Sequence, residues 1–307
     1  MSLSRAKLPD GTPVSLPGEA PFASADLTPL RGVPFQLPCE DDFLDGTGTE
    51  AHAYLDGAAS SWLEFPDWMD VVDAESPVHD IKAAERDLYL HWWREWLHAP
   101  TVLDVGCGVG RMTMPFLDRG ATVIGVDGDL GSLQRCAWHA AERSGRLDLH
   151  WSSVHKLPPG QFDVVIAAEV LCYVPDVERA LAAIVERLKP GGALLLSMEG
   201  RWGWATAQDA PEGSAEEALA GTGIVHEPGE RWVRTWEGDE LTALLQGAGL
   251  QVDTMLPCFY FTDGPLERTL GSASLEELII WEVQARKHPV WGPLNRMWVA
   301  VAVKPND

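Results

Sequence analysis

The run TVLDVGCGVG, residues 101–110, constrains this chain more than any other stretch. A short β-rich segment, TVLDV, gives way to glycines at 106, 108 and 110, and a helical stretch, RMTMPFLDRG, follows and is closed by Gly120. Such glycines let the backbone turn tightly off a strand and approach a ligand closely, while the next helix presents unpaired N–H groups. An acid, Asp104, ends the first strand. ATVIGVDGDL repeats the pattern, and its acid, Asp127, ends a second strand, where a carboxylate can accept both hydroxyls of a ribose. The pair reads as an adenosine-type site.

Strand and helix keep alternating beyond it. A helix from about Asp129 through Leu133, Cys136, Ala137 and Ala140 stops at Gly145, LDLHW is a third strand, and QFDVVIAAEV is the near-continuous apolar run of a strand buried on both faces. Asp176 starts a helix through Leu181, Ile184 and Leu188, which Lys189, Pro190, Gly191 and Gly192 break before the strand ALLLSME. This succession predicts a parallel sheet with right-handed crossovers and a ligand at the carboxyl ends of its strands. Upstream, residues 80–98 read as a helix capped by Asp80; downstream come a helix over 237–249, a strand QVDTMLPCFYF, a helix around SLEELIIWEVQARKH and a last strand MWVAVAVKP.

With 307 residues, 46% of them hydrophobic, the chain can bury a real core, as one α/β domain with additions. Its net charge of -23 makes nucleic acid and anionic membrane surfaces poor partners. Cys39, Cys107, Cys136, Cys172 and Cys258 are scattered without a C-x-x-C, which reads as reduced thiols in a cytoplasmic protein. The first residues lack the apolar core of a secretion signal, and no run approaches the roughly 18 apolar residues of a bilayer span. Pro and Gly crowd residues 1 to about 50. Between residues 32 and 81 there is no Lys or Arg while acids accumulate, yet Trp62, Phe65, Trp68 and Met69 are too apolar for a solvated tail. Residues 1–78 are therefore expected to form an acidic extension that caps the site, and residues 79–307 the main domain. Within that domain, 200–235 and 263–296 have the length of lids or binding loops.

Several readings compete at the glycine turn. A dinucleotide dehydrogenase prefers G-x-G-x-x-G, but position 111 is Arg, and a P-loop lacks its G-K-[ST]. Cys107 sits inside the turn with no partner motif for nucleophilic work, which favours a small filler. Glu169 either contributes to a site or merely terminates a strand. His155 and His226 lie near expected site loops, where a lone histidine is a base or an ordinary packing residue.

At this point the residues resemble the class I S-adenosylmethionine-dependent methyltransferases. Asp104-Val-Gly106-Cys-Gly108-Val-Gly110 matches their first motif, Val126-Asp127 their ribose motif, and Phe162-Asp163-Val-Val with Leu188-Lys189-Pro190-Gly191-Gly192 their later motifs. Phe162 through Asp176 is similar to the FDxVxxxEVLxxVxD pattern of quinone-biosynthesis and natural-product methyltransferases. The likeness covers residues 80–200 well and 235–307 in outline. It implies a Rossmann-like, doubly wound, seven-stranded sheet, mostly parallel with an antiparallel last strand. It also implies S-adenosylmethionine held by Asp104, Gly106, Cys107, Gly108, Gly110, Asp127, Gly128, Ser153, Val154, Glu169 and Val170. Ser152 and Ser153 stand where the family often has an acid beside adenine.

The sulfonium methyl is intrinsically electrophilic, so alignment and exclusion of water matter more than signature catalysts. For an oxygen acceptor, His226 in the first insertion is the leading base candidate and Tyr173 the second. No carboxylate and asparagine arrangement suggests magnesium, so no metal is expected. Trp68, Tyr173, Trp202, Trp232 and Trp281 are candidates to line the acceptor, since broad aromatic faces in lid segments suit an apolar or aromatic small molecule. The alternative is that these tryptophans only dock the extra segments. The resulting expectation is methylation of a small acceptor in specialised metabolism, on O or N before C, with room for a homodimer. A protein or peptide methyltransferase, or a non-catalytic cofactor-binding subunit, are the rivals.

Overall fold

The computed structural model describes residues 35–36 and 70–306, apart from 129, 142, 175, 208–209, 211, 228–230 and 267–272. In chain order the elements are β1 (Phe35–Gln36), α1 (His79–Trp92), β2 (Thr101–Val105), α2 (Thr113–Leu117), β3 (Thr122–Asp127), α3 (Leu130–Ala140), β4 (Arg146–Trp151) and β5 (Phe162–Ala168). They continue with α4 (Val177–Arg187), β6 (Leu188–Gly200), α5 (Arg201–Thr206), α6 (Ser214–Ala220), β7 (Ile224–Glu227), β8 (Arg231–Trp236), α7 (Gly238–Gly247), β9 (Gln251–Cys258), α8 (Leu275–Lys287) and β10 (Met297–Val303). The chain forms two compact units, one of residues 1–79 with 97–166 and one of residues 80–96 with 167–307.

The first unit holds the parallel strands in the order β4-β3-β2-β5, with β1 beside β4. Leu103 pairs with Ile124 on one side and Val165 on the other. The chain steps outward from β2 to β3 and β4, then returns to the opposite side of β2. A reversal of this kind, at the carboxyl end of β2, is where open α/β sheets take their ligands. Val102, Leu103, Val105, Val123, Val126, Val164, Val165 and Ile166 are all buried, which explains the long apolar runs. Two helix limits differ from expectation. α2 is confined to Thr113–Leu117, and Asp118 and Gly120 already close back onto Met114 and Leu117. α3 ends at Ala140 and not at Gly145. Gly145 instead permits close approach: a Cβ there would stand 2.5 Å from the Ala121 carbonyl oxygen and 2.8 Å from Leu117 Cα.

In the second unit β10 runs antiparallel to both β6 and β9, the antiparallel last strand expected. Four parallel strands of one unit, β2 to β5, and β6, β9 and β10 of the other supply the seven strands expected; β1, β7 and β8 are additions. The fold class is Rossmann-like α/β. Asp176 caps α4 by accepting from the Arg179 N–H, as its position predicts. α4 ends at Arg187, just before Lys189–Gly192 as expected, but β6 already starts at Leu188 and runs through them. Gly191 N–H donates to the Lys304 carbonyl and Lys304 N–H to that of Gly192, so the ladder with the C-terminal segment continues where Pro and Gly suggested a stop. β9 ends at Cys258, three residues early, because the amides of Phe259, Tyr260 and Phe261 all turn to the buried Glu282 carboxylate. α1 starts at His79, with Asp80 in its first turn and not at its cap, and after Trp92 it tightens into a 3-10 turn, Arg94–Trp96. The insertion 200–235 folds into α5, α6 and a β7–β8 hairpin, whose β8 runs parallel to the end of β6.

Most of the expected extension, including Cys39, Trp62 and Trp68, lies outside the described residues. Its last part is anchored: Asp70, 3% exposed, meets the His139 ring nitrogen at 2.8 Å and the Arg135 guanidinium at 3.7 Å on α3. No helix among the described residues is long and apolar enough to cross a membrane.

Candidate functional site

The turn after β2 is fastened to β3. Gly106 and Cys107 N–H both donate to the Val126 carbonyl, at 2.7 and 3.1 Å. Gly106, Gly108 and Gly110 all have positive φ, a conformation glycine adopts without steric cost. Their surroundings differ. A Cβ on Gly110 would meet the Met114 Cε at 2.5 Å and the Cys136 sulfur at 2.9 Å, so this glycine lets α2 and α3 close in. Around a Cβ on Gly108 no atom lies within 4 Å, so this glycine faces open space beside the turn.

Cys107 fills the floor of the turn. Its sulfur lies 2.9 Å from where a Gly125 side chain would begin, and a hydrogen bond with Cys136, together with burial, pushes its thiol well up. That is a packing thiol and not a nucleophile. Two acids frame the turn. Asp127 accepts from Gly108 N–H at 2.7 Å. Asp104 is buried and accepts from the Thr113 hydroxyl at 2.6 Å; burial pushes its carboxyl up to about 7, against the downward pull of that hydrogen bond. Just beyond β4, Ser153 and Val154 are half-buried, and the Ser153 hydroxyl is buried with no hydrogen-bond partner among the described residues. An open glycine cradle, a carboxylate able to accept paired hydroxyls and an unsatisfied hydroxyl fit a nucleoside ligand with a cationic side chain.

The second unit gathers a different set of polar groups. Glu169, directly after β5, has φ +61, and its N–H donates to Ser197 Oγ at 2.9 Å. The Tyr89 hydroxyl lies 2.8 Å from both Glu169 Oε1 and Ser197 Oγ. Nearby in this unit Glu199 pairs with Arg296, which also reaches Asp263 at 3.6 Å and lies 3.9 Å from the Trp204 ring centre. Burial pushes Glu199 up to about 8, with Arg296 acting in the opposite direction. Burial also works against the charge of Arg296, yet the Glu199 and Asp263 carboxylates raise it, and the guanidinium stays protonated. Lys82 completes the group, 2.9 Å from Glu85 and 3.6 Å from Asp263.

Of the expected acceptor residues, Tyr173 sits exposed in a 3-10 turn, Leu171–Tyr173. Val170 and Trp202 are half-buried, and Trp281 packs on Phe261 with ring centres 5.7 Å apart. His226 on β7 stands opposite Trp232 on β8; their side chains, like all of Trp68, lie outside the described residues. Sequence reasoning missed Tyr89, Ser197, Glu199 and Arg296. Single helical or strand positions gave no sign of partners about a hundred residues away, though a buried-strand pattern ending in Ser197 and Glu199 was a usable signal.

Residues 103–196 match a family model described as a methyltransferase domain. A ubiquinone biosynthesis O-methyltransferase of Pseudomonas paraeruginosa is 36% identical over 135 residues, 42% of this chain and 56% of that protein. One from Alkalilimnicola ehrlichii is 33% identical over 164 residues, 51% of this chain and 64% of its own length. The chain thus spans between half and two thirds of the curated relatives it matches. Among solved structures, the Burkholderia thailandensis 1,6-didemethyltoxoflavin-N1-methyltransferase, with bound 1,6-didemethyltoxoflavin and S-adenosylhomocysteine, shares the fold at a TM-score of 0.55 and 20% identity, over 85% of this chain and 91% of that one. The magnesium protoporphyrin IX methyltransferase of Synechocystis PCC 6803, with bound S-adenosylhomocysteine, does so at 0.50 and 16%, over 78% and 94%.

Proposed function

We propose, from the premise that residues 103–196 are a class I S-adenosylmethionine-dependent methyltransferase domain, that the chain transfers a methyl group from that cofactor to a small acceptor. The observation that carries this reading is the Gly108–Asp127 pair: an open, left-handed glycine beside a carboxylate at the switch point of the β4-β3-β2-β5 order. S-adenosylmethionine, when bound, supplies an electrophilic sulfonium methyl. The chain's own work is to bind, orient and exclude water. Gly106, Gly108 and Gly110 bring the backbone close to the amino-acid part, Cys107 floors the turn, and Asp104 contributes negative charge for the ammonium. Asp127, with Gly128 beside it, takes the ribose hydroxyls. Ser153 offers its unsatisfied hydroxyl to the adenine edge while Val154 covers a ring face, and Glu169 and Val170 complete the cofactor contacts.

The acceptor is an apolar or aromatic small molecule lined by Trp68, Tyr173, Trp202, Trp232 and Trp281. Oxygen is the favoured accepting atom, supported by the O-methyltransferase relatives, with His226 or Tyr173 taking its proton. The extension and the two insertions form the cover, no metal takes part, and the enzyme works in the cytoplasm, in specialised metabolism, as a monomer or homodimer.

The test is titration of the purified protein with S-adenosylmethionine by calorimetry, then incubation with a panel of phenols, catechols and aromatic amines while S-adenosylhomocysteine release is followed. Micromolar binding and turnover on a panel member support the reading. Absence of cofactor binding removes it, and turnover on basic peptides alone moves the acceptor to the rival class.

A further inference from the structure

Thr113, the first residue of α2, is fully buried, and its hydroxyl donates to Asp104 Oδ2 at 2.6 Å. Asp104 lies in β2 and is 2% exposed. The bond therefore spans the glycine turn, from the strand before it to the helix after it. Within that span Gly110 N–H donates to the Cys107 carbonyl and Met114 N–H to that of Gly110. The backbone shapes the turn from inside, and one side-chain hydrogen bond joins its two ends. Every group involved belongs to the first unit.

A brace of this kind does not need an acid. A buried carboxylate loses hydration that only good partners offset, and an apolar pair would join strand to helix without that cost. The groups acting on Asp104 are few. Asp127, at the end of β3, pushes its carboxyl up and Arg111 pulls it down, while the Cys107 thiol, on which Asp104 acts in turn, is pushed well up and stays neutral. Burial is the largest influence, and the carboxyl comes to about 7, so its two forms lie close in energy at neutral pH. A hydroxyl proton given to an ionised carboxylate favours that form, and Thr113 gives one. Without that hydroxyl the acid of the turn would be neutral over more of the pH range.

We infer that Thr113 is a positioning residue that keeps the Asp104 carboxylate ionised at the glycine turn, so that the turn selects ligands carrying an ammonium group. This rests on the proposed reading of Asp104 as the negative charge that meets the cofactor's ammonium. An α-ammonium ordinarily loses its proton near about 8, so acid and ligand are both charged in a narrow window above about 7. S-adenosylhomocysteine keeps the ammonium of S-adenosylmethionine, whereas methylthioadenosine keeps the adenosine and the sulfur but lacks the amino-acid part. The first ligand should feel the state of Asp104 and the second should not.

Calorimetry with S-adenosylhomocysteine and methylthioadenosine, across a pH series centred near about 7, tests this on the wild type, Thr113→Val, Thr113→Ser and Asp104→Asn. In the wild type, affinity for S-adenosylhomocysteine should rise with pH up to about 7, as Asp104 ionises, and affinity for methylthioadenosine should stay level. Valine keeps the size and branching of threonine and removes only the donor. Thr113→Val should move the rise up by about one pH unit, which below the rise is about tenfold in affinity, and Thr113→Ser should restore it. Asp104→Asn should abolish the rise. A level profile for S-adenosylhomocysteine in the wild type, a rise that Thr113→Val leaves in place, no rescue by serine, or a parallel rise for methylthioadenosine overturns the inference. Should Thr113→Val melt below the assay temperature, Thr113→Ala is read by the same criteria. A wild type that binds neither ligand at any pH removes the methyltransferase reading itself, a result distinct from all of these.

Discussion

Gly108 N–H donates to Asp127 Oδ2 across 2.7 Å, so the glycine turn after β2 and the acid at the end of β3 form one hydrogen-bonded piece. Asp127 thus shapes the turn, and in the proposed function it also meets the ribose. Asp127→Ala should lower S-adenosylmethionine affinity by about 2 to 4 kcal/mol, since charge-assisted hydrogen bonds contribute roughly 1.5 to 3 kcal/mol each. Calorimetry that finds unchanged affinity contradicts the ribose assignment.

The glycines of the turn should separate by phenotype. Gly108→Val puts a branched side chain into open space at φ +52, so it should abolish cofactor binding with only a modest loss of melting temperature. Gly110→Ala meets Met114 and Cys136 and should cost about 1 to 3 kcal/mol of stability through overpacking. Thermal melts and calorimetry on both variants check the separation; a Gly108→Val protein with normal affinity would show that the turn is merely structural.

Three buried acids shape the response to pH: Glu199, which burial raises to about 8, and the pair Asp104 and Glu282. Burial raises both Asp104 and Glu282 to about 7, the latter against three amide hydrogen bonds. In the unfolded chain such groups titrate near about 4, so the folded state binds more protons between the two values. Their stabilising contribution is full below the unfolded value and is lost as pH rises through about 7. The melting temperature should therefore fall from pH 6 to pH 8.5, and Asp104→Asn, which still accepts from Thr113, should make that slope shallower. An equally steep slope in the variant would count against a raised Asp104.

Asp70 ties the end of the N-terminal segment to α3 through His139 and Arg135. Asp70→Ala leaves a partly buried imidazole without its acceptor and should cost about 1 to 3 kcal/mol. Equilibrium denaturation measures it, and a loss below a few tenths would mean the contact is idle.

On an oxygen acceptor found in the panel, His226→Ala should lower kcat by about 10²-fold to 10⁴-fold, the usual contribution of a general base. Unchanged turnover combined with a loss in Tyr173→Phe would pass the role to the tyrosine.

What could be read from the sequence was local. TVLDVGCGVG and Asp127 announce themselves because strand, turn and acid lie within one stretch, and β2 to β5 fall where the apolar runs put them. What escaped depends on distant partners. Lys189–Gly192 end the helix as they read, yet look like a loop until Lys304 supplies their hydrogen bonds, and Phe259–Phe261 look like strand until Glu282 claims their amides. Trp204, in an insertion, gave no hint that it would carry the Arg296 guanidinium on its ring.

The second unit is closed by α1, which the ribosome makes long before the residues that cover it. Ser197 follows Tyr89 by 108 positions, which at about 5 to 20 residues per second is roughly five to twenty seconds of translation. Glu169, the other partner of the Tyr89 hydroxyl, follows by 80 positions, so that hydroxyl gains its two partners in turn after residues 97–166 have emerged as one uninterrupted stretch with the parallel strands and their helices. Over that stretch of synthesis α1 is open to chaperones that bind nascent apolar segments.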